Sequence, residues 1–289
     1  MSFRTVVISN RCKLDLRMNY MEVRGDNHVK ILIDDIETLI IENPAVSFTG
    51  CLLEALSEKK VKVIFCNQKH NPYAELTSYY GSHDCSRKLK KQLAWSNEIK
   101  GYVWTNIVSD KIKKQSELLN TIGYKTESDL LKGYILNMLF MDCNNREGHA
   151  AKVYFNKLFG MSFTRNQKSV INAALDYGYS IILSVFNKEI VYNGYLTQLG
   201  IFHDNIYNQY NLSCDLMEPF RILVDKIVVY NNFNKFETEE KRIMLEILQE
   251  DIKINGTTQT FTNAVKIYTK SVLDALCNED AESIIYYEL

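Results

Sequence analysis

The character of the chain changes near residue 80, and this change constrains the fold more than any other feature of the sequence. Before it, short runs rich in β-branched residues, such as RTVVIS, HVKILI and VKVIF, are separated by turn residues. After it, glycine and proline become sparse, and apolar residues recur at spacings of three and four. The first pattern is typical of strands and the second of amphipathic helices. We therefore expect an α+β protein, with a small β-rich domain over residues 1–80 and a larger all-α domain over residues 81–289.

Local signals place individual elements within these two parts. The stretch RGDN predicts a β-hairpin, and SFTGCLLEALSEKK predicts a short helix ahead of a buried strand. In the second part, periodicity predicts helices over residues 86–115, 127–143, 147–159, 167–187, 196–210, 215–231, 238–251 and 259–276. The acidic tail NEDAESIIYYEL is expected to be peripheral.

Composition narrows the class of protein. Of the 289 residues, 46% are hydrophobic and 24% are charged, which permits a well-packed core. The formal net charge of -1 gives no sign of a nucleic-acid binder, although a basic face is compatible with it. The N-terminus lacks a signal-peptide run, and no uncharged apolar stretch reaches the ~18–20 residues that cross a bilayer. We expect a soluble cytoplasmic protein without membrane association. The seven cysteines show no C-x-x-C spacing, which disfavours thiolate zinc sites and disulfides.

Two segments carry polar side chains on predicted apolar helical stripes. In REGHAAKVYF, Glu147 heads such a stripe. His149, two residues further on, would point about 200° away around a helix, so the two side chains can face one inner site only if the helix begins after residue 147. In QLGIFHDNIYNQY, His203 shares a predicted buried helical row with Ile206 and Tyr207. A buried histidine needs partners for both ring nitrogens, and a metal ion can be one of them.

A third segment, CDLMEPFRILVD, carries two acids. Asp215 and Glu218 are three apart, so they would share one face of a helix with Pro219 in its first turn. A divalent cation would relieve their repulsion, while ordinary N-terminal capping on a solvated face explains the same spacing. Taken with Glu147 and His203, these acids suit Mg²⁺ or Mn²⁺. The imidazole favours Mn²⁺, and zinc stays open.

Basic residues cluster on one predicted helix, in one short run and beside the candidate ligands. They are Arg87, Lys88, Lys90 and Lys91; Arg165 and Lys168; and Arg146 and Arg221. A track for a DNA phosphate backbone has this composition, and so does a solvated helix face. The position of Arg146 and Arg221 next to the acids favours phosphate contact.

At these residues the sequence resembles the CRISPR-associated integrase family of spacer acquisition, the larger subunit of the acquisition complex. The matching stretches are IENPAVSFTGCLLEALSEKKVKVIFC, REGHAAKVYF, INAALDYGYSIILS, QLGIFHDN and DLMEPFRILVD, in family order over nearly the whole chain. The form MEPFR resembles the branch that accompanies the single-protein RNA-guided nuclease (type II).

The resemblance implies a β-rich dimerisation domain followed by a helical, metal-dependent catalytic domain. It places the catalytic metal ligands at Glu147, His203 and Glu218, with Asp215 as a neighbouring acid. Other branches have aspartate, one methylene shorter, where Glu218 stands, and proline is frequent where Ile222 stands. The implied partners are double-stranded DNA of the prespacer and CRISPR repeat, a second copy of the chain, and a small ferredoxin-like acquisition subunit in a heterohexamer. The RNA-guided nuclease and an accessory acquisition protein are further implied partners.

These implications define the expected function. The chain would be a metal-dependent DNA integrase and endonuclease that inserts short foreign DNA fragments as new spacers into a CRISPR array. A DNA 3′-hydroxyl would attack a phosphodiester at the repeat edge, with Arg146 and Arg221 stabilising phosphate charge. Two alternatives stay open. A structure-selective nuclease would use the same residues, whereas a non-catalytic DNA-binding scaffold would have no need for the intact acids.

Overall fold

Strands dominate the chain up to Leu76, and helices dominate it from Cys85 onward. This division confirms the α+β class. The computed structural model describes residues 4–78 and 82–289, and the contacts within it divide the chain into units of residues 1–79 and 80–289. The predicted boundary between residues 80 and 81 falls at positions outside the described residues.

Over residues 4–78, the N-terminal unit has two four-stranded sheets and one α-helix. The first sheet has β1 (Arg4–Ile8), β5 (Ile36–Ile41) and β7 (Lys62–Cys66) in parallel, with β8 (Pro72–Leu76) antiparallel at the edge. The second joins β2 (Lys13–Arg17), β3 (Tyr20–Arg24) and β4 (His28–Leu32) in antiparallel order, with the short β6 (Ser47–Phe48) beside β2. Helix α1 (Gly50–Glu58) precedes β7, as predicted.

Two hairpins build the second sheet. The one between β3 and β4 closes at the RGDN stretch, as predicted. The other folds the single alternating stretch CKLDLRMNYMEVRG into β2 and β3, because Met18 and Asn19 both adopt positive φ angles (48° and 64°). A two-residue turn of that kind matches the twist of paired strands. Leu14 and Met21 are thereby buried in the core of this unit.

The larger unit is built mainly from helices. Their bounds are α2 (Cys85–Leu93), α3 (Asn97–Thr121), α4 (Lys125–Leu136), α5 (Arg146–Phe159), α6 (Val170–Tyr192), α7 (Asn211–Met217), α8 (Arg221–Asn231), α9 (Thr238–Leu245) and α10 (Phe261–Asn278). Helices α3, α6 and α10 supply much of the core, with fully buried aromatic rings at Trp104, Phe186 and Tyr268. No helix of the described residues is both long and apolar enough to span a membrane.

The predicted helices over residues 86–115 and 127–143 have different bounds in the structure. The 86–115 segment is interrupted at residues 94–96, where Ser96 caps α3 by accepting the N–H of Ile99 at 3.2 Å. The 127–143 helix ends at Leu136. Beyond it, the Asn144 side chain donates to the carbonyl of Asn137 at 2.7 Å and accepts the N–H of Leu139 at 3.2 Å. Such side-chain hydrogen bonds compete with those of a helix backbone.

The predicted helix over residues 196–210 is wrong, because this segment is a loop without helical structure. Asparagine side chains take the place of helical hydrogen bonds: Asn205 accepts the N–H of Tyr207 at 2.9 Å, and Asn208 accepts the N–H of Tyr210 at 3.0 Å. The predicted buried row is therefore absent, and Ile206 and Tyr207 are 86% and 89% exposed.

The C-terminal part of the larger unit adds strands where only helices were expected. Strands β9 (Asp251–Ile254), β10 (Thr257–Thr260) and β11 (Tyr287–Glu288) form a sheet in the order β10-β9-β11. The tail is not peripheral, because Tyr287 is buried and its hydroxyl donates to the carbonyl of Pro219 at 2.8 Å. A tail residue thus reaches the position next to Glu218.

Candidate active site

Glu147 lies in the first turn of α5. Asn145 caps this helix by accepting the N–H of Gly148 at 3.2 Å. Asp142 accepts the N–H groups of Arg146 and Glu147 at 2.6 and 2.9 Å. These bonds satisfy donors that a helix start leaves without partners. They hold the helix end in place while the Glu147 side chain stays half-buried.

Glu218 lies at the break between α7 and α8. A short 3-10 turn over Glu218–Phe220 joins the two helices, and Pro219 sits in that turn. Asp215 belongs to the preceding helix α7, so the two acids do not open one common helix as the sequence predicted. The Glu218 side chain is 5% exposed. One of its oxygens, Oε1, accepts the Nε–H of Arg221 at 2.9 Å.

Lys111 of α3 joins the two glutamates. Its ammonium donates to Oε1 of Glu147 at 2.5 Å and to Oε2 of Glu218 at 2.6 Å. The three residues are far apart in sequence, with separations of 36 and 107 positions from Lys111. The fold therefore brings Glu147 and Glu218 to one point, and that point accommodates a cation.

His203 is held beside this pair by Asp215. The ring Nδ1 lies 2.6 Å from Oδ1 of Asp215. Because a carboxylate can only accept, Nδ1 carries the proton, and the other ring nitrogen, Nε2, keeps its lone pair for a ligand. Asp215 is fully buried, and it also accepts the backbone N–H groups of Ile201, Phe202 and His203 at 2.6, 3.2 and 3.0 Å. Asp215 is thus placed to orient His203.

The charges of the site are strongly coupled. The Asp215 hydrogen bond raises the pKa of His203 against the effect of burial, and the charges of Glu218 and Glu147 act in the same direction. Burial opposes ionisation of Glu218, but Arg221 and Lys111 lower the pKa of that carboxyl to about 2. Burial also disfavours the Lys111 ammonium, yet Glu218 and Glu147 raise its pKa on balance. Arg221 and Lys111 therefore favour the ionised form of Glu218 in spite of its burial.

A cavity of about 130 Å³ lies beside Glu218. Its lining also includes Lys111, Arg221 and Asp225. Asp225 accepts the hydroxyl hydrogens of Tyr154 and Tyr179 at 3.0 and 2.5 Å. Burial raises the pKa of Asp225 to about 6, although the two hydroxyls act in the opposite direction. The ring of Tyr179 in turn lies 4.7 Å from the Arg221 guanidinium. A buried network therefore supports Arg221, the partner of Glu218.

The predicted basic residues fall into two groups. Arg146, Arg165 and Arg221 lie near the site: Arg146 adjoins Glu147 in α5, and Arg165 and Arg221 line the cavity. Arg146 stacks 5.6 Å from the Tyr134 ring, and its buried Nε has no hydrogen-bond partner among the described residues. Lys168 is exposed. The structure shows no contact of Lys168 with Glu147 or Glu218.

The basic residues of α2 form the second group. Arg87 and Lys88 pair with Asp84 at 2.5 and 3.5 Å, while Lys90 and Lys91 are exposed. Gln92 of the same helix is buried and donates to the carbonyls of residues 196 and 199 at 2.8 and 3.1 Å. Helix α2 is thereby anchored to the loop that carries His203.

The donor set suits a divalent cation, but the side chains do not enclose one as they stand. Within residues 4–78 and 82–289, no group of three or more His, Cys, Asp or Glu side chains could hold a metal ion. Two carboxylates instead share the Lys111 ammonium. The ligand set of Glu147, His203 and Glu218 stays a prediction. His149 is exposed, with its ring 6.1 Å from that of Tyr134.

Sequence reasoning missed Lys111 and Asp225. Lys111 lies in a helix of mixed charge, where one buried lysine cannot be told from the solvated ones around it. Asp225 stands three residues after Ile222, on the same predicted helical row as Glu218. An acid in a predicted apolar stripe was the available signal for Asp225.

Comparison with known proteins identifies the family. A family model described as CRISPR associated protein Cas1 matches residues 5–248. The CRISPR-associated endonuclease Cas1 of Neisseria meningitidis serogroup C (strain 8013) is 33% identical over 232 residues, which are 80% of this chain and 76% of that protein.

Solved structures share the fold. A casposase bound to integration product has a TM-score of 0.77 at 15% identity, covering 96% of this chain and 91% of that one. A Cas6-RT-Cas1–Cas2 complex has a TM-score of 0.75 at 18% identity, covering 100% of this chain and 36% of that one. With the family model matching most of its length, this chain belongs to the CRISPR-associated Cas1 family.

Proposed function

We propose that this Cas1-family chain is a metal-dependent DNA integrase and endonuclease that inserts short DNA fragments into a CRISPR array. The observation that carries the proposal is the convergence of Glu147 and Glu218 on one cation, with His203 held beside them by Asp215. The name of the Neisseria relative, an endonuclease, and the casposase bound to integration product support this class of reaction.

Glu147, His203 and Glu218 would hold Mg²⁺ or Mn²⁺, with hard carboxylate oxygens and one imidazole nitrogen as ligands. When bound, such an ion neutralises phosphate charge and lowers the pKa of an attacking 3′-hydroxyl. Asp215 binds Nδ1 of His203, which leaves Nε2 of the neutral ring as the acceptor. Arg221 keeps Glu218 ionised, and Arg146 contributes positive charge for a phosphate oxygen.

The proposal also includes the partners of this chain. The chain would act as a homodimer on double-stranded prespacer and repeat DNA, with a small Cas2-type, ferredoxin-like subunit in a heterohexamer. The Cas6-RT-Cas1–Cas2 complex among its structural relatives supports a Cas2 partner. Phosphate contacts are assigned to Arg146, Arg165 and Arg221 near the site, and to Arg87, Lys88, Lys90, Lys91 and Lys168 outside it.

The test is strand joining by single-residue variants. We expect Glu147→Gln, His203→Ala and Glu218→Gln each to lower the rate at which a labelled duplex joins repeat DNA by about a hundredfold or more, the range seen when one preorganised charge or donor is removed. Glu239→Gln, which changes an exposed acid in α9, is the matched control. Joining by His203→Ala at the wild-type rate in Mg²⁺ and Mn²⁺ would refute the assignment.

A second substrate separates integration from hydrolysis. A duplex whose ends lack the 3′-hydroxyl cannot join, but a hydrolytic nuclease would still cut a branched target. We expect the wild-type protein to lose product formation on the joining target with such ends. Cutting without any joining on intact ends would make the chain a structure-selective nuclease, and DNA binding without either reaction would make it a scaffold.

A further inference from the structure

Lys111 occupies the position that a divalent ion would need. Its ammonium lies within 2.6 Å of one oxygen of Glu147 and one of Glu218, and its side chain is 11% exposed. An ammonium with three donors, shared between two carboxylates, offsets the repulsion between those carboxylates. A divalent ion bound by the same oxygens would meet a like charge at contact distance. The two cations therefore exclude each other.

The cavity next to Lys111 provides an alternative position for the ammonium. Gln115 lies one turn further along α3, and both residues line this cavity of about 130 Å³. The Oε1 atom of Gln115 is buried, with no hydrogen-bond partner among the described residues. The Asp225 carboxyl lines the same space. Because buried acceptors without a donor are costly, the cavity suits an added donor. A lysine stem is flexible enough to reach it by rotation.

We infer that Lys111 is a built-in counter-cation that holds Glu147 and Glu218 together in the metal-free protein and moves toward Gln115 when a divalent ion binds. The inference rests on the proposed metal ligation by Glu147, His203 and Glu218. Lys111 is thus a positioning residue: it keeps two ligands from distant segments at one point, and it competes with the ion for them.

The first experiment measures Mn²⁺ affinity by electron paramagnetic resonance. Lys111→Met removes the competing charge, so we expect its Mn²⁺ dissociation constant to fall at least about tenfold, since two charged hydrogen bonds no longer have to be broken. Gln115→Met removes the acceptor for the displaced ammonium, and we expect affinity several-fold weaker than wild type. Lys113→Met is the matched control, because it changes a lysine of the same helix whose side chain is 65% exposed, and wild-type affinity is expected.

The second experiment uses the unmodified protein and does not depend on the folding of a variant. Lysines are acetylated with and without Mg²⁺, and the extent at each position is read by mass spectrometry. We expect Lys111 to be protected without Mg²⁺, when two carboxylates hold its ammonium. It should be several-fold more reactive with Mg²⁺, when a neutral amide replaces those two ion pairs, while Lys113 reacts equally in both conditions. Equal protection of Lys111 at saturating Mg²⁺ would overturn the inference.

The outcomes separate this inference from the proposed function. If Glu218→Gln binds Mn²⁺ as tightly as wild type, the proposed ligand set fails and the role of Lys111 fails with it. If binding depends on Glu218 but Lys111→Met binds no more tightly than Lys113→Met, only the role of Lys111 is refuted. Tighter binding by Lys111→Met, with a lower melting temperature in the absence of metal, supports both.

Discussion

At the scale of single residues, Asp215 shows how one side chain can serve a site without touching the reacting atoms. It is buried, and its two oxygens accept three backbone N–H groups and the Nδ1 proton of His203. Hydrogen bonds from a carboxylate to the far nitrogen of a ligating imidazole fix the ring and raise its basicity. The sequence placed Asp215 beside Glu218 as an additional acid, and the structure gives it the role of holding the histidine loop.

Asp215→Asn tests this role. The amide is a weaker acceptor than the carboxylate and carries no charge, so we expect the pKa of His203 to fall toward its ordinary value. Strand joining should slow by about 10–100-fold, the typical effect of losing such a partner. Ring titration by NMR and the joining assay measure the two effects. Asp204→Asn, which changes the exposed acid next to His203, is the control, and an unchanged His203 pKa in Asp215→Asn would count against the role.

Asp225 makes a pH-dependent contribution to stability. Its pKa is raised to about 6 in the folded protein, above its value of about 3.9 in an unfolded chain. A raised pKa means that the neutral form favours folding, so this contribution is complete below about pH 4 and is lost as pH rises through about 6.

A comparison with Asp225→Asn measures the pH-dependent contribution of Asp225 to stability. We expect the free energy of unfolding of wild type, relative to Asp225→Asn, to decrease by roughly 2–3 kcal/mol between pH 4 and pH 7. Urea unfolding at several pH values measures it. A difference between the two proteins that stays constant across this range would contradict the raised pKa.

At the scale of elements, side-chain hydrogen bonds hold the loop between α6 and α7 in a defined conformation. Asn211 donates to the carbonyls of Gln198 and Asn205, both at 3.1 Å, and accepts the N–H of Asn205 at 3.3 Å. Gly200 permits a close approach inside this loop, because a Cβ there would lie 2.2 Å from the carbonyl oxygen of His203. The same Cβ would lie 2.8 Å from Oδ2 of Asp215.

Gly200→Ala should therefore displace the loop that carries His203. We expect strand joining to fall by at least about tenfold, since a 1 Å misplacement of a catalytic group costs up to about 10²-fold. Gly133→Ala in α4 is the control, and activity should be unchanged: apart from the neighbouring backbone of its own helix, no described atom lies within 4 Å of a Cβ there. Wild-type joining by Gly200→Ala would show that the loop tolerates the added methyl group.

At the scale of the whole larger unit, the C-terminal tail packs against the turn that carries Glu218. The carbonyl of Pro219, next to Glu218, accepts the hydroxyl hydrogen of Tyr287. The Lys114 ammonium lies 4.1 Å from the centre of the Tyr287 ring. Lys114 also pairs with Asp110, on the same helix as Lys111. The last strand is thus packed between the helix of Lys111 and the turn of Glu218.

Tyr287→Phe removes only the hydroxyl from this contact. A buried carbonyl left without its donor costs about 1–3 kcal/mol, so we expect the free energy of unfolding to fall by that amount. Urea unfolding provides the measurement. Tyr230→Phe, in which an exposed hydroxyl is lost, should leave stability unchanged, and equal effects of the two substitutions would exclude a bracing role for Tyr287.

Sequence alone was sufficient where the signal is local. Strand and helix periods set the α+β class, and the hairpin at RGDN follows from its turn residues. Local reasoning failed at residues 196–210, where asparagine side chains replace helical hydrogen bonds, and at the tail, where an acidic composition hid the buried Tyr287. Glu147, His203 and Glu218 could be chosen from the sequence because they lie in stretches that resemble those of a known family.

Only the tertiary structure decided how these residues meet. Lys111 contacts Glu147 and Glu218 across 36 and 107 positions, and no periodic pattern carries information over such distances. The same holds for Tyr154 and Asp225, which are 71 positions apart. By itself the sequence determined which residue types are present and which local elements they form, because these depend on near neighbours. The structure decided which buried charges share a partner, because that depends on how helices remote in sequence pack together.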